Sequence, residues 1–98
     1  MFAVVMTFDD TPDGTDAGVT HVLEEVIPTL KDTPGLLGLW MVDRTKSRRL
    51  TVMAWDNEAH YEAGMAAIAA RRAANPGDHW QVPTELERYD LFAEVQNP

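Results

Sequence analysis

The chain has 98 residues, a formal net charge of −8 and no cysteine. This length suits one domain, residues 1–98. The acidic charge argues against nucleic-acid and anionic-membrane partners, because both require a basic face. Without cysteine, disulfides and thiolate metal or redox sites are excluded. The first residues lack the basic segment of a signal peptide, and no apolar run approaches the roughly 20 residues of a membrane span, so we expect a soluble cytoplasmic protein.

The first third of the chain predicts a strand and a helix. The apolar run over residues 2–8 is typical of a strand that is covered on both faces. Apolar residues then recur at helical spacing over residues 15–31 and predict a helix with one apolar face. Thr15 or Asp16 is expected to cap its start, since either side chain can accept a hydrogen bond from a free backbone N–H. Pro28 lacks an N–H donor, so we expect a bend or an early loosening of the helix there.

The middle of the chain predicts a hairpin followed by a second helix. Two β-rich runs, residues 36–42 and 50–55, flank a short charged stretch whose outer residues can extend both strands. The Asp-Asn-Glu sequence that follows is a helix-start signal, and an alanine-rich helix is predicted over residues 57–74.

The last part of the chain predicts a long connection and a final strand. The connection, about residues 75–86, exceeds the usual median of roughly 4–6 residues, and loops of this kind often line sites. Alternating residues over 87–95 predict the last strand. The order β-α-β-β-α-β is that of the ferredoxin-like α+β fold, an antiparallel four-stranded sheet with both helices on one face.

Both faces of the predicted sheet are largely apolar. In the third strand, for example, one set of alternating side chains opposes another that is nearly as apolar: Leu50, Val52 and Ala54 against Thr51, Met53 and Trp55. An exposed apolar face marks an interaction surface, and the simplest cover is a second copy related by a two-fold axis. We therefore expect a homodimer, although the sequence does not say which face of the third strand meets the partner.

Three stretches of the chain carry a family resemblance. They are PTLKDTPGLLGLW at residues 28–40, LTVMAWDNEAHYEAG at residues 50–64 and ERYDLFAEV at residues 87–95. Together with the element order, they resemble the dimeric α/β-barrel superfamily and, within it, the antibiotic biosynthesis monooxygenase (ABM) group. The resemblance implies a dimeric α/β barrel in which the two sheets face each other. It also implies a cofactor-independent monooxygenase that acts on an aromatic polyphenol or quinol.

The same superfamily leaves other functions open. Some members have no known activity, so a non-catalytic small-molecule-binding or stress-related dimer is the alternative. Haem-degrading members carry an Asn on the first strand and a proximal His on the second helix. Here the first strand has no Asn, and His60 follows Trp55 too closely, so haem binding or degradation is less favoured.

The aromatic residues indicate where a site would lie. We expect a pocket between helices and sheet that is apolar with a few polar groups, as small-molecule sites usually are. The predicted substrate-binding residues are Thr7, Trp55, Tyr61 and, as a lid from the long loop, Trp80. His60 is the candidate catalytic base, because histidine is the only residue type among these candidates that ordinarily exchanges a proton near neutral pH. The alternative is that the aromatic residues only pack the core and the dimer interface.

The remaining polar residues predict no metal site and no cofactor. His21, His60 and His79 stand far apart, and a metal site needs three or more converging ligands. Asp56 is interpreted as a helix cap with His60 solvated. A basic cluster at the hairpin is interpreted as a solvated turn that discourages edge-strand pairing, with an acidic partner as the alternative. Its members are Arg44, Lys46, Arg48 and Arg49.

Overall fold

The computed structural model describes residues 1–76 and 80–97. The strands are β1 (Phe2–Asp9), β2 (Leu36–Asp43), β3 (Arg48–Trp55) and β4 (Glu85–Asp90). The helical segments are α1 (Thr15–His21), a π-helical segment (Val22–Val26), α2 (Ile27–Leu30) and α3 (Glu58–Ala74). The predicted β-α-β-β-α-β order is therefore confirmed. His79, named above with the other histidines, lies outside the described residues.

The four strands form one antiparallel sheet in the order β2-β3-β1-β4. Leu30 from α2 and Tyr61, Met65 and Ile68 from α3 pack against the same face of this sheet. This is the predicted ferredoxin-like arrangement. No helix among residues 1–76 and 80–97 is long and apolar enough to cross a membrane.

The first helical stretch widens immediately before its proline. The Ile27 N–H donates to the carbonyl of Val22, five residues earlier, and α2 then carries Pro28 in its first turn. Because proline removes a helical N–H donor, a local change of hydrogen-bond register is the expected response. The loosening predicted from Pro28 is thus a π-helical segment rather than a break.

Both predicted helix caps were wrong. Helix α1 begins at Thr15, after Gly14, without a side-chain cap, and the Thr15 hydroxyl instead donates to the Thr11 carbonyl at 3.0 Å. Helix α3 is capped by Asn57, whose side chain accepts from the His60 N–H at 2.9 Å. Asp56 contacts the His60 ring instead, so the extended Asn57 backbone decides which residue caps the helix.

The last strand is shorter and earlier than the predicted residues 87–95. Strand β4 pairs with β1 from Glu85, opposite Thr7, to Asp90, opposite Phe2. One further backbone hydrogen bond, from the Leu91 N–H to the Met1 carbonyl, closes the pairing at 3.1 Å. Among the described residues, the pairing of β4 with β1 ends there, short of the predicted residue 95.

The two faces of the sheet have different surroundings. Val4, Met53 and Trp55 point to the helices and belong to the buried core. The other face carries Leu37, Leu39 and Met41, which are 59%, 55% and 46% exposed. We name this second face the open face. Its β2 side chains lie opposite Ala54, Val52 and Leu50 of β3 in register. The structure thus decides what the sequence left open, since Met53 is core and Val52 is on the open face.

Candidate functional site

A cavity of about 290 Å³ lies between the helices and the sheet. Most of its wall is apolar, formed by Val22, Val26, Leu30, Trp40, Met53, Met65 and Ile68. Small-molecule sites usually measure about 300–1,000 Å³, so this cavity fits one small ligand. Apolar walls of this kind favour a flat hydrocarbon or aromatic body.

Polar groups gather where β1, β3 and the loop before β4 meet the cavity. The Arg49 side chain, on the helix-facing side of β3, lines the cavity although the residue is only 6% exposed. Its Nε donates to Asp10 Oδ2 at 2.7 Å and its Nη2 to Asp10 Oδ1 at 3.1 Å. Nη2 also donates to the side-chain oxygen of Gln81. A charge this deeply buried requires such a partner, and the Asp10 side chain is itself 1% exposed.

The helix lies directly against this guanidinium group. A Cβ atom at Gly18 would lie 2.5 Å from Arg49 Nε, so only glycine allows the approach. The Arg49 Cζ atom lies 4.8 Å from the centre of the Phe8 ring, within cation–π distance. These contacts hold the guanidinium group in one position.

Trp80, Gln81 and Pro83, from the segment before β4, form one side of the cavity. Trp80 lines it, and its indole N–H donates to the Asn75 carbonyl at 2.9 Å. The Trp80 ring meets the His21 ring edge-on, with 4.4 Å between centroids. Thr84 anchors the other end of the loop, because its N–H donates to the Thr7 carbonyl at 2.7 Å. Trp80 is therefore held to the residue that follows α3, and Thr84 is held to β1.

The other predicted site residues do not line this cavity. Trp55 is fully buried, and its ring packs edge-on against Tyr61 at 5.8 Å. His60 lies on the outer side of α3, where its Nδ1 is 2.7 Å from Asp56 Oδ1. Thr7 faces the open side of the sheet. The structure thus brings Trp55 and Tyr61 together in the core and places Trp80 at the cavity, apart from them.

The sequence analysis missed most of the polar cavity wall, including His21, Arg49 and Gln81. Arg49 was assigned to the solvated hairpin cluster, and this is wrong because its side chain is buried. Strand alternation is the signal that could have found it, since Arg49 shares the face of Met53 and Trp55. The placement of Gln81 depends on how the long loop folds, and no local pattern predicts that.

A second charged contact ties β4 to α3, away from the cavity. Arg88 donates to both carboxylate oxygens of Glu58, at 3.1 and 2.5 Å, and its Cζ lies 3.8 Å from the Phe2 ring centre. The hydrogen bond from Arg88 lowers the pKa of Glu58 below its usual value. Among the described residues, no group of three or more potential metal ligands lies together.

Comparisons with known proteins agree with this fold. No family model and no curated protein matches the sequence. Solved structures match along almost the whole chain. A monooxygenase of Streptomyces coelicolor from the gene ActVA-Orf6, in complex with nanaomycin D, shares 18% identity at a TM-score of 0.70, over 99% of this chain and 92% of that chain. An antibiotic biosynthesis monooxygenase structure shares 16% identity at a TM-score of 0.68, over 95% and 100%.

Not every similar structure has a known function. The protein NE2512 from Nitrosomonas europaea, of unknown function, shares 21% identity at a TM-score of 0.70, over 99% of this chain and 94% of that chain. Identities this low establish the fold and not the chemistry. The chain therefore has the ferredoxin-like fold of the ABM structures, as its sequence resemblance predicted.

Proposed function

We propose that the protein is a cofactor-independent monooxygenase that acts on a small aromatic polyphenol or quinol. The observation that carries this proposal is the apolar cavity beneath Trp80, with polar groups at one end. The similar Streptomyces coelicolor monooxygenase, solved with nanaomycin D, supports it. The non-catalytic binding protein remains the competing function.

The proposed reaction uses the electron density of the substrate. A phenol that has lost its proton transfers electrons to O₂, and one oxygen atom bonds to the ring carbon opposite the phenolate oxygen. The other oxygen atom leaves as water, with the phenol hydrogen and the hydrogen of that ring carbon, and a quinone remains. The apolar wall of the cavity excludes bulk water from the reaction and orients the substrate ring.

Removal of the phenol proton requires a base. Among the described residues that line the cavity, His21 is the one with an imidazole, so we propose it as the proton acceptor. His60, the base predicted from the sequence, lies outside the cavity beside Asp56. Its role stays a prediction, and the two histidines can be compared directly.

We also propose that two chains pair through their open faces. The centre of this face is apolar on three neighbouring strands, β2, β3 and β1. Its margin on β4 is polar, with Tyr89 donating to Glu87 at 2.5 Å. An apolar centre with a polar margin is the usual composition of a protein interface. Leaving the leucines of β2 in water would be unfavourable.

Oxygen uptake with a panel of hydroquinones and anthrones tests the monooxygenase proposal. The Val26→Phe variant puts a ring into the cavity, and misplacing a substrate by about 1 Å can cost about 100-fold in rate. The matched control is Val95→Phe, where the side chain is 84% exposed and the rate should not change.

Thermal unfolding must accompany this comparison, because overpacking can cost about 1–3 kcal/mol. If Val26→Phe does not fold, Trp80→Ala replaces it, since that change opens the cavity without filling the core. Turnover in the wild type that falls in the cavity variant supports the proposal. No turnover across the panel, or equal turnover in both valine variants, contradicts it.

A further inference from the structure

The polar end of the cavity contains hydrogen-bond donors that the described part of the chain leaves unused. Arg49 donates from Nε and Nη2 to Asp10, and from Nη2 also to Gln81. Its Nη1 makes no hydrogen bond to any residue among 1–76 and 80–97. Gln81 uses its side-chain oxygen to accept from Arg49, so its amide N–H₂ group still has two hydrogens to donate. Both groups belong to residues that line the cavity.

We propose that Arg49 Nη1 and the Gln81 amide together bind one oxygen of an aromatic ligand. This inference refines the proposed function, on which its relevance to catalysis rests, although binding can be measured without turnover. The ligand oxygen must be an acceptor, because both groups only donate. A ring carbonyl or a phenolate oxygen meets this requirement, with the ring itself against the apolar wall.

The charge of the site determines which oxygen it prefers. Asp10 neutralises Arg49 at 2.7 Å, so this pair has no net charge to offer a carboxylate or a phosphate. Arg72 also lines the cavity, but it is not one of the two proposed donors. A carbonyl oxygen gains two hydrogen bonds there without the cost of burying a full charge. We therefore assign the site to the oxygen of an aromatic ketone or quinone, which carries no full charge.

The Arg49 guanidinium group is held in place before a ligand arrives. The helix backbone at Gly18 and the Phe8 ring confine the guanidinium group. The Asp10 N–H donates to the Ser47 carbonyl at 2.8 Å, which fixes the residue that orients Arg49. A preorganised donor costs less conformational entropy when the ligand binds.

Two matched probes test this inference by equilibrium dialysis. The probe 1-indanone carries a ring carbonyl, and indane is the same bicyclic body without it. The wild type should bind 1-indanone about tenfold more tightly, since two hydrogen bonds of ordinary strength give a ratio of this order. The Gln81→Glu variant keeps an oxygen for Arg49 but replaces the amide donors with a second acceptor.

The Gln81→Glu variant should lower the affinity for 1-indanone by about three- to tenfold and leave the affinity for indane within about twofold. Gln96→Glu, an exposed position with the same charge change, is the control and should alter neither affinity. The inference is overturned if the wild type binds both probes equally, or if Gln81→Glu changes both affinities alike. If neither probe binds, the inference and the cavity as a ligand site fail together. A retained carbonyl preference without oxygen uptake would overturn only the monooxygenase proposal.

Discussion

Replacing Gly64 in α3 by alanine should destabilise the protein, against the normal effect of this change. In an open helix, Gly→Ala stabilises by about 0.8–1.0 kcal/mol. Here a Cβ at Gly64 would lie 2.4 Å from Trp55 Cη2 and 3.2 Å from its Cζ2. Trp55 is 0% exposed, so the ring cannot move away without disturbing the core.

The two contributions can be compared. Overpacking a closed core costs about 1–3 kcal/mol, and a rigid buried ring places this site in the upper half of that range. After the helix-propensity gain is subtracted, Gly64→Ala should lower the free energy of unfolding by about 1–2 kcal/mol. For a domain of this size, each kcal/mol lowers the melting temperature by about 4–8 °C.

A double-mutant cycle with Trp55→Phe, measured by urea unfolding, isolates this contact. Phenylalanine lacks the outer indole ring, so the Gly64→Ala change in that background should be neutral or stabilising. The coupling between the two changes should be about 1–3 kcal/mol. Additive effects, or a more stable Gly64→Ala single variant, would refute the packing argument. If Trp55→Phe instead lowers ligand affinity and leaves the free energy of unfolding unchanged, the result would favour the substrate contact that the sequence predicts for Trp55.

Two further predictions concern the base and the dimer. His21→Gln should lower the rate of oxygen uptake by at least about 100-fold, as expected when a general base is lost, whereas His60→Gln should retain the wild-type rate. A large loss in His60→Gln with little loss in His21→Gln would instead assign the base to His60. Leu39→Lys, on the open face, should give a monomer mass by light scattering at micromolar concentration, because a buried charge at an apolar interface is costly. Leu23→Lys, on a similarly exposed helix position, should remain dimeric; a wild type that is already monomeric would refute the pairing.

The sequence determined the elements whose signal is local. The hairpin could be predicted because two β-rich runs flank a charged turn, and the chain forms β2 and β3 there. Helix α3 could be predicted because its start signal and its alanine content act within one helix. The order of the strands and helices is compatible with few chain topologies, and the ferredoxin-like sheet could be predicted from it.

The tertiary structure decided the features that depend on a partner distant in the chain. Strand β4 ends at Asp90, opposite Phe2 of β1, although the alternation of its own residues continues to Val95. Arg49 is buried because Asp10 neutralises it and the backbone at Gly18 covers it. The cavity wall combines residues of the sheet and the helices with Trp80 and Gln81, which lie far from them in the chain. Burial, charge pairing and cavity shape depend on segments that meet only in the folded chain. The sequence pattern of any one segment therefore cannot predict them.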